Sequence, residues 1–207
     1  ETVTSLTSRA SAILNLSEDH MDRYPGFDEY VAAKIRIFSG GGIAVVNRND
    51  LRLMQALPAG IPLVSFGYNV PPGVHDYGLI DHEGRTWLAR GKRKLLRADQ
   101  VPLAGRHNLL NVLAAMALAE QVGVDDDVCA EAVRNFEGLP HRMETVKRKQ
   151  GVSWINDSKA TNVGAAAAAL EGLSNSVILI AGGDGKGAYF SALTTPIAQH
   201  ARAVILI

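Results

Sequence analysis

The sequence predicts an α/β protein in two parts. Apolar runs of strand length alternate with segments of helical periodicity over residues 11–67, and a second β, α, β, α, β series runs from residue 152 to the end. Between them, residues 68–103 carry short mixed runs broken at glycines, which is the pattern of antiparallel hairpins. The stretch "GLPHR" (138–142) reads as a boundary, which places one domain over residues 1–138 and a second over 139–207.

Taken in order, "SAILNLS" (11–17) is a buried-strand pattern. "GFDEYVAAKIRIFSG" (26–40) puts Tyr30, Ala33, Ile37 and Phe38 at helical spacing and stops at a glycine cluster. "GIAVVNRND" (42–50) is a strand ending in turn residues, a short helix starts near Asp50, and "PLVSFG" (62–67) is a third strand. Glu83-Gly84 and Gly91-Lys92 are the predicted hairpin turns. "AGRHNLLNVLAAMALAEQVG" (104–123) is the clearest helix. Its apolar face is Leu109, Val112, Leu113, Met116, Leu118 and Ala119, with Asn108 as cap and Gly123 as stop. "DDDVCAEAVRNFEG" (125–138) is a helix led by three acids, which suit the positive end of its dipole. In the second part, a strand pair spans "METVKRKQGVSWIND". An alanine-rich helix capped by Thr161 or Asn162 follows, then the strand "SVILIAGG" (176–183), a helix from about Ser191 and the strand "AVILI" (203–207). The expected result is a parallel sheet with helices on its faces.

Composition excludes several classes. Lysine plus arginine and aspartate plus glutamate both number 21, so no net field draws the chain to nucleic acid or a membrane surface, and any anion site must be local. No apolar run approaches the roughly 18 residues a membrane span needs. The single cysteine, Cys129, has no intrachain partner, which suits a reducing compartment and a buried inert thiol. The chain starts at Glu1 rather than Met and stops inside an apolar run, so the expectation is a piece of a longer protein.

Five stretches carry chemistry. "SEDHMDRY" (17–24) follows a strand, at the sheet edge where open α/β folds bind ligands. His20 there suits a divalent metal with Asp19 or Asp22 orienting it, or else the stretch is a solvated loop in which Asp19 caps a helix. "GRHNLLN" (105–111) places His107, Asn108 and Asn111 at a helix start. Either the amides meet a purine edge or they cap the helix. Arg142, in "LPHRME", can stack on a base or grip phosphate, or can be a surface arginine. "WINDSKATN" (154–162) joins a strand to a helix with Asp157, Lys159 and Thr161 at alternate positions. It is a plain cap or an anion site, in which free N–H groups, the dipole and Lys159 attract phosphate and Asp157 accepts from ribose hydroxyls. Finally, Gly183, Gly185 and Ala188 satisfy Gly-x-Gly-x-x-Ala, which supports a rival reading as a nicotinamide-dependent oxidoreductase, although Lys186 fits a carboxylate or phosphate better. A third reading is a non-catalytic nucleotide-binding module. No Gly-x-x-x-x-Gly-Lys-Ser/Thr loop occurs.

"LNLSEDHMDRY", "AAK" (32–34), "GRHNLLNVLAA", "GLPHRME", "WINDSKATN" and "GGDGKGA" stand in the order and at the distances of one family. Together they resemble the Mur ligases over nearly the whole chain, and "NDSKATN" resembles the branch that adds D-glutamate. The resemblance implies part of a central mononucleotide-binding-type domain followed by part of a Rossmann-like domain, both incomplete, with a site shared by two domains. It implies a monomeric, cytoplasmic bacterial enzyme of peptidoglycan synthesis that uses ATP and magnesium. Such an enzyme joins D-glutamate to UDP-N-acetylmuramoyl-L-alanine through an acyl phosphate.

By position, His20 matches a metal-binding histidine and Lys34 a carbamylated, metal-binding lysine, both also catalytic. Asn111 and Arg142 match adenine contacts with His107 close by, and Asp157 matches a ribose contact. Lys159, Thr161 and Lys186 match residues near the γ-phosphate and D-glutamate, with Lys159 also catalytic. The family's phosphate loop, its UDP-binding domain and a metal-binding glutamate are expected before Glu1, and the remainder of the last domain after Ile207. Tyr189 stands where an aspartate is expected. On this basis the 207 residues alone are expected to be inactive.

Overall fold

The computed structural model describes residues 6–19, 21–103, 105–173, 176–185 and 187–207. The chain divides into two compact units. One contains the chain up to Leu16, Gly26–Pro102 and Asn108–Phe136, and the other Ser17–Pro25, Leu103–His107 and Glu137–Ile207.

The first unit is built on one sheet of six strands: β1 (Ala10–Ile13), β2 (Ile43–Asn47), β3 (Leu63–Phe66), β4 (Tyr77–His82), β5 (Arg85–Arg90) and β6 (Arg93–Arg97), in that spatial order. β1 to β4 pair in parallel, and β4 to β6 antiparallel. The hairpin segment therefore continues the parallel sheet. Tyr77, fully buried, pairs with Phe66 and carries the chain from one mode to the other. Both hairpin loops have two residues. Glu83 and Gly84 both have positive φ, as a type I′ turn requires, and a methyl on Gly91 (φ +51°) would meet the Val74 backbone at 3.0 Å.

Helix α1 (Phe27–Ile35) tightens into a 3-10 turn at Arg36–Gly40. That tightening rotates the predicted face: Tyr30, Val31 and Phe38 are buried, and Ile37 is exposed. In α2 (Leu51–Ala56), Asp50 caps the helix through Leu53 N, 2.9 Å, and its other oxygen accepts Leu16 N–H, 2.6 Å. Ile13, Phe38, Ala44, Val46 and Leu53 close the core between these helices and β1–β2.

α3 (Arg106–Glu120) buries Val112, Leu113, Ala114, Met116 and Ala117. It begins two residues before Asn108, so Asn108 lies in its first turn and is not the predicted cap. α4 (Asp126–Arg134) splits its three acids. Asp125 caps through Asp127 N, 2.9 Å, whereas Asp126 is buried. Asp126 Oδ2 pairs with Arg90 Nη2 (2.9 Å) and Arg93 Nη1 (3.1 Å), Arg90 Nη1 donates to Glu120 Oε1 (2.5 Å), and Tyr77 donates to Glu120 Oε2 (3.1 Å). Burial, followed by the Glu120 charge, pushes the Tyr77 hydroxyl far above its usual range. Burial raises the Asp126 carboxyl while Arg90 and Arg93 pull it down. Cys129 is half-buried, and burial raises its thiol, which suits an inert side chain.

The second unit holds a hairpin of β7 (Glu144–Lys149) and β8 (Val152–Asn156), helix α5 (Val163–Glu171), β9 (Val177–Ala181), a 3-10 turn at Phe190–Leu193, α6 (Thr194–His200) and β10 (Ala201–Leu206). β9 and β10 are parallel, as expected. β8, expected in the same sheet, pairs only with β7 among the described residues. Gln150 and Gly151, both at positive φ, close a tight turn that uses one edge of β8 on its own hairpin.

Candidate functional site

In the second unit, the chain between β8 and α5 is fastened to the stretch before β7. β8 ends at Asn156, and Asp157–Thr161 make a turn held by Ala160 N to Asp157 O (2.9 Å) and Thr161 N to Lys159 O (2.9 Å). Asn162, in extended conformation, caps α5 by accepting Ala165 N–H, 2.8 Å. Across to residues 141–144, Lys159 N donates to His141 O (3.1 Å), Met143 N to Asp157 Oδ1 (3.1 Å) and Asn156 Nδ2 to His141 Nδ1 (2.8 Å). His141 N in turn donates to Glu144 Oε2, 2.8 Å. His141 and Met143 both have positive φ, a strained state that these bonds hold in place.

Two predicted motifs, "GLPHRME" and "NDSKATN", thus form one piece. It presents the exposed side chains of Arg142, Lys159 and Thr161 beside the start of α5. Two cations without a partner among the described residues, by a helix N-terminus, are a donor set for a polyphosphate or carboxylate. Asp157 is half-buried with Oδ1 already engaged, so any ligand contact falls to its other oxygen.

His107 belongs to this unit. Its Nδ1 is buried and no hydrogen bond of good geometry reaches it. Burial lowers its affinity for a proton, and the Asp157 charge and the Ala168 carbonyl oppose this. The folded state therefore prefers neutral His107. Its contribution to stability is present above the unfolded value of 6.5 and is lost as pH falls through the lower folded value. A His107→Gln variant is expected to show a flatter fall in melting temperature below about pH 6.5 than the parent. An equally steep fall in both would contradict this.

In the first unit, Asn111 is exposed and donates to Asn108 Oδ1, 3.0 Å, leaving its own carbonyl for a ligand. Lys34 is exposed, with Nζ 5.0 Å from the Tyr30 ring centroid, a cation over an aromatic face. His20 and Lys186 lie outside the described residues. No group of three or more metal-ligating side chains gathers among the described residues. The described residues do not by themselves make a magnesium site.

The glycine-rich turn after β9 does not open a helix. Four residues separate Gly185 from the Phe190 turn, and the Phe190 ring stands 2.9 Å from where a Gly185 side chain would begin. A dinucleotide fingerprint needs its glycines at the helix entrance, so the oxidoreductase reading loses its geometric basis. Tyr189 is largely exposed. The sequence reading missed the link from Asp19 to Asn162, where Nδ2 donates to Oδ2 at 3.2 Å. No local pattern signals a pair 143 positions apart.

Comparison with known proteins gives consistent matches. The profile described as Mur ligase middle domain matches residues 1–119, and that described as Mur ligase, glutamate ligase domain matches residues 141–207. A UDP-N-acetylmuramoylalanine--D-glutamate ligase from Methylobacillus flagellatus is 47% identical over the whole chain, which covers 46% of that protein. The protein of the same name from Nitrosococcus oceani is 49% identical, again over 100% of this chain and 46% of its own length. Among solved structures, MurF from Acinetobacter baumannii superposes with a TM-score of 0.70 at 19% identity, over 96% of this chain and 51% of that one. The chain spans about half the length of the curated relatives it matches.

Proposed function

Because the chain belongs to the Mur ligase family, we propose that it is the central and C-terminal part of a ligase that joins D-glutamate to UDP-N-acetylmuramoyl-L-alanine at the expense of ATP. The carrying observation is the fastened pair of turns in the second unit, which holds Arg142, Lys159 and Thr161 at the start of α5. Whole-chain identity of 47–49% to proteins named for D-glutamate addition supports the choice of amino acid.

The chemistry asks for cations. A carboxylate is a poor acyl donor. One oxygen of the L-alanyl carboxylate attacks the γ-phosphorus of ATP and ADP leaves, giving an acyl phosphate. The amine of D-glutamate then attacks the carbonyl carbon, the C–O bond to phosphorus breaks, phosphate departs with the electron pair and the amine loses a proton to solvent. Both steps gather negative charge on phosphoryl oxygens, so a fixed ammonium or guanidinium stabilises the transition states more than the ground states. Lys159 and Arg142 have this chemistry in the second unit. By family position, Lys159, Thr161 and Lys186 serve the reacting phosphoryl group and the incoming D-glutamate, and Arg142 and Asn111 the adenine, with His107 near it. Asp157 serves the ribose. His20 and a carbamylated Lys34 would hold magnesium. The working protein is read as a cytoplasmic monomer, and no helix among the described residues is long and apolar enough to cross a membrane.

The reading is tested by following ADP release from the protein that carries these residues, with UDP-N-acetylmuramoyl-L-alanine and a panel of amino acids. Release with D-glutamate and not with L-alanine, a diamino acid or D-alanyl-D-alanine is expected. Equal release with any of the others would assign the chain to another branch.

A further inference from the structure

We propose that Asn162 is a positioning residue that fastens the described part of the loop after β1 (residues 17–19 and 21–25) to the start of α5, so that this loop and the Asp157–Thr161 turn are held as one piece. The catalytic consequence, though not the fastening itself, rests on the ligase reading above.

One carboxamide serves both elements. Asn162 Oδ1 accepts Ala165 N–H at 2.8 Å and caps the helix, while Nδ2 donates to Asp19 Oδ2 at 3.2 Å. Asn162 is half-buried, so this bond is less exposed to competition from water than a surface one. A second contact lies two residues on. Gly164 has no side chain, and a methyl there would stand 3.3 Å from Ser17 Cβ, so the loop seats directly on the helix backbone. The loop and α5 fall in the same compact unit, although more than 130 positions separate them in sequence. A serine or aspartate would cap the helix equally well. Capping therefore does not explain an amide at this position, whereas an amide accepts from the backbone N–H with one atom and donates to the carboxylate with another, which aspartate cannot do at all and a serine hydroxyl could do only from a single atom on a shorter arm.

The fastening is tested by hydrogen–deuterium exchange on the whole protein. Asn162→Ser keeps a capping oxygen but replaces the amide N–H with a hydroxyl on a shorter side chain, which cannot cap the helix and span the distance to Asp19 together. Asn162→Asp keeps the cap and sets a carboxylate against Asp19. In both, amides of residues 17–25 are expected to exchange about fivefold faster, while those of 166–171 stay within twofold of the parent. Adding Asp19→Asn to Asn162→Asp reverses the polarity of the pair and is expected to slow the loop again. Unchanged loop exchange in both single variants, or helix and loop loosened equally, would overturn the proposal, because the first means no tether and the second means a cap alone. In the ligase reaction the two single variants should lower kcat about tenfold with KM for ATP within threefold, and an unaltered kcat removes the positioning role. If the parent itself releases no ADP in response to D-glutamate, the ligase reading fails while the exchange result still decides the tether.

Discussion

Replacing Arg90 by methionine is expected to destabilise the first unit by about 2–4 kcal/mol, toward the lower part of the range for breaking a buried ion pair. Arg90 is the only described side chain that bonds both Glu120 at the end of α3 and Asp126 at the start of α4. Its loss leaves Glu120 with the Tyr77 hydroxyl, a long bond from Gln121 Nε2 (3.5 Å) and a distant, exposed His75, and leaves Asp126, 4% exposed in its side chain, with Arg93. The range is lowered because about a quarter (24%) of the Arg90 side chain meets solvent. Arg93→Met is the control. Arg93 is half exposed, and its loss should cost under about 1 kcal/mol. Trp87 lies on β5 and Trp154 on β8, so urea unfolding followed by Trp87 fluorescence in a Trp154→Phe background reads the first unit. Equal midpoints for the two arginine variants would show that the network contributes no more than a surface pair.

Lys159→Met is expected to lower kcat/KM for the ligase reaction by about 10²–10³-fold, the usual effect of deleting one group that meets developing charge in the transition state. The Lys159 side chain is exposed and only its backbone N–H bonds to His141 O, so the fold should survive with its melting temperature within about 2 °C of the parent. Lys159→Arg keeps the charge on a larger, planar group and is expected to recover only part of the rate. A loss below threefold in the methionine variant would move Lys159 off the reacting phosphoryl group.

Much of this organisation was legible in the residues. The glycine pairs at 84 and 91 and the alternation around them announced two hairpins, because only a few residue types fit such turns. Asp50 and Asn162 announced helix starts for a similarly local reason. What the sequence concealed was long-range. β4 joins the parallel sheet through a single residue pair, Phe66 with Tyr77, which no periodicity encodes. The β7–β8 pair was legible as a strand pair, but that β8 takes no parallel partner among the described residues was not. Asp126 reads as a helix-dipole acid, and only the folded chain shows Arg90 reaching it. At the site, the chemical types at Arg142, Asp157 and Lys159 could be read from the motifs. That Asp157 spends one oxygen on the Met143 backbone could not, since it depends on two turns meeting.

The central claim is that this chain belongs to a ligase that activates a carboxylate as an acyl phosphate for D-glutamate. It is tested most directly by labelling both carboxylate oxygens of UDP-N-acetylmuramoyl-L-alanine with oxygen-18, supplying ATP and D-glutamate to the protein carrying these residues, and weighing the released phosphate. One labelled oxygen in each phosphate, formed with D-glutamate and not with L-glutamate, is the predicted result. Phosphate without label, or release indifferent to the amino acid, would contradict the account.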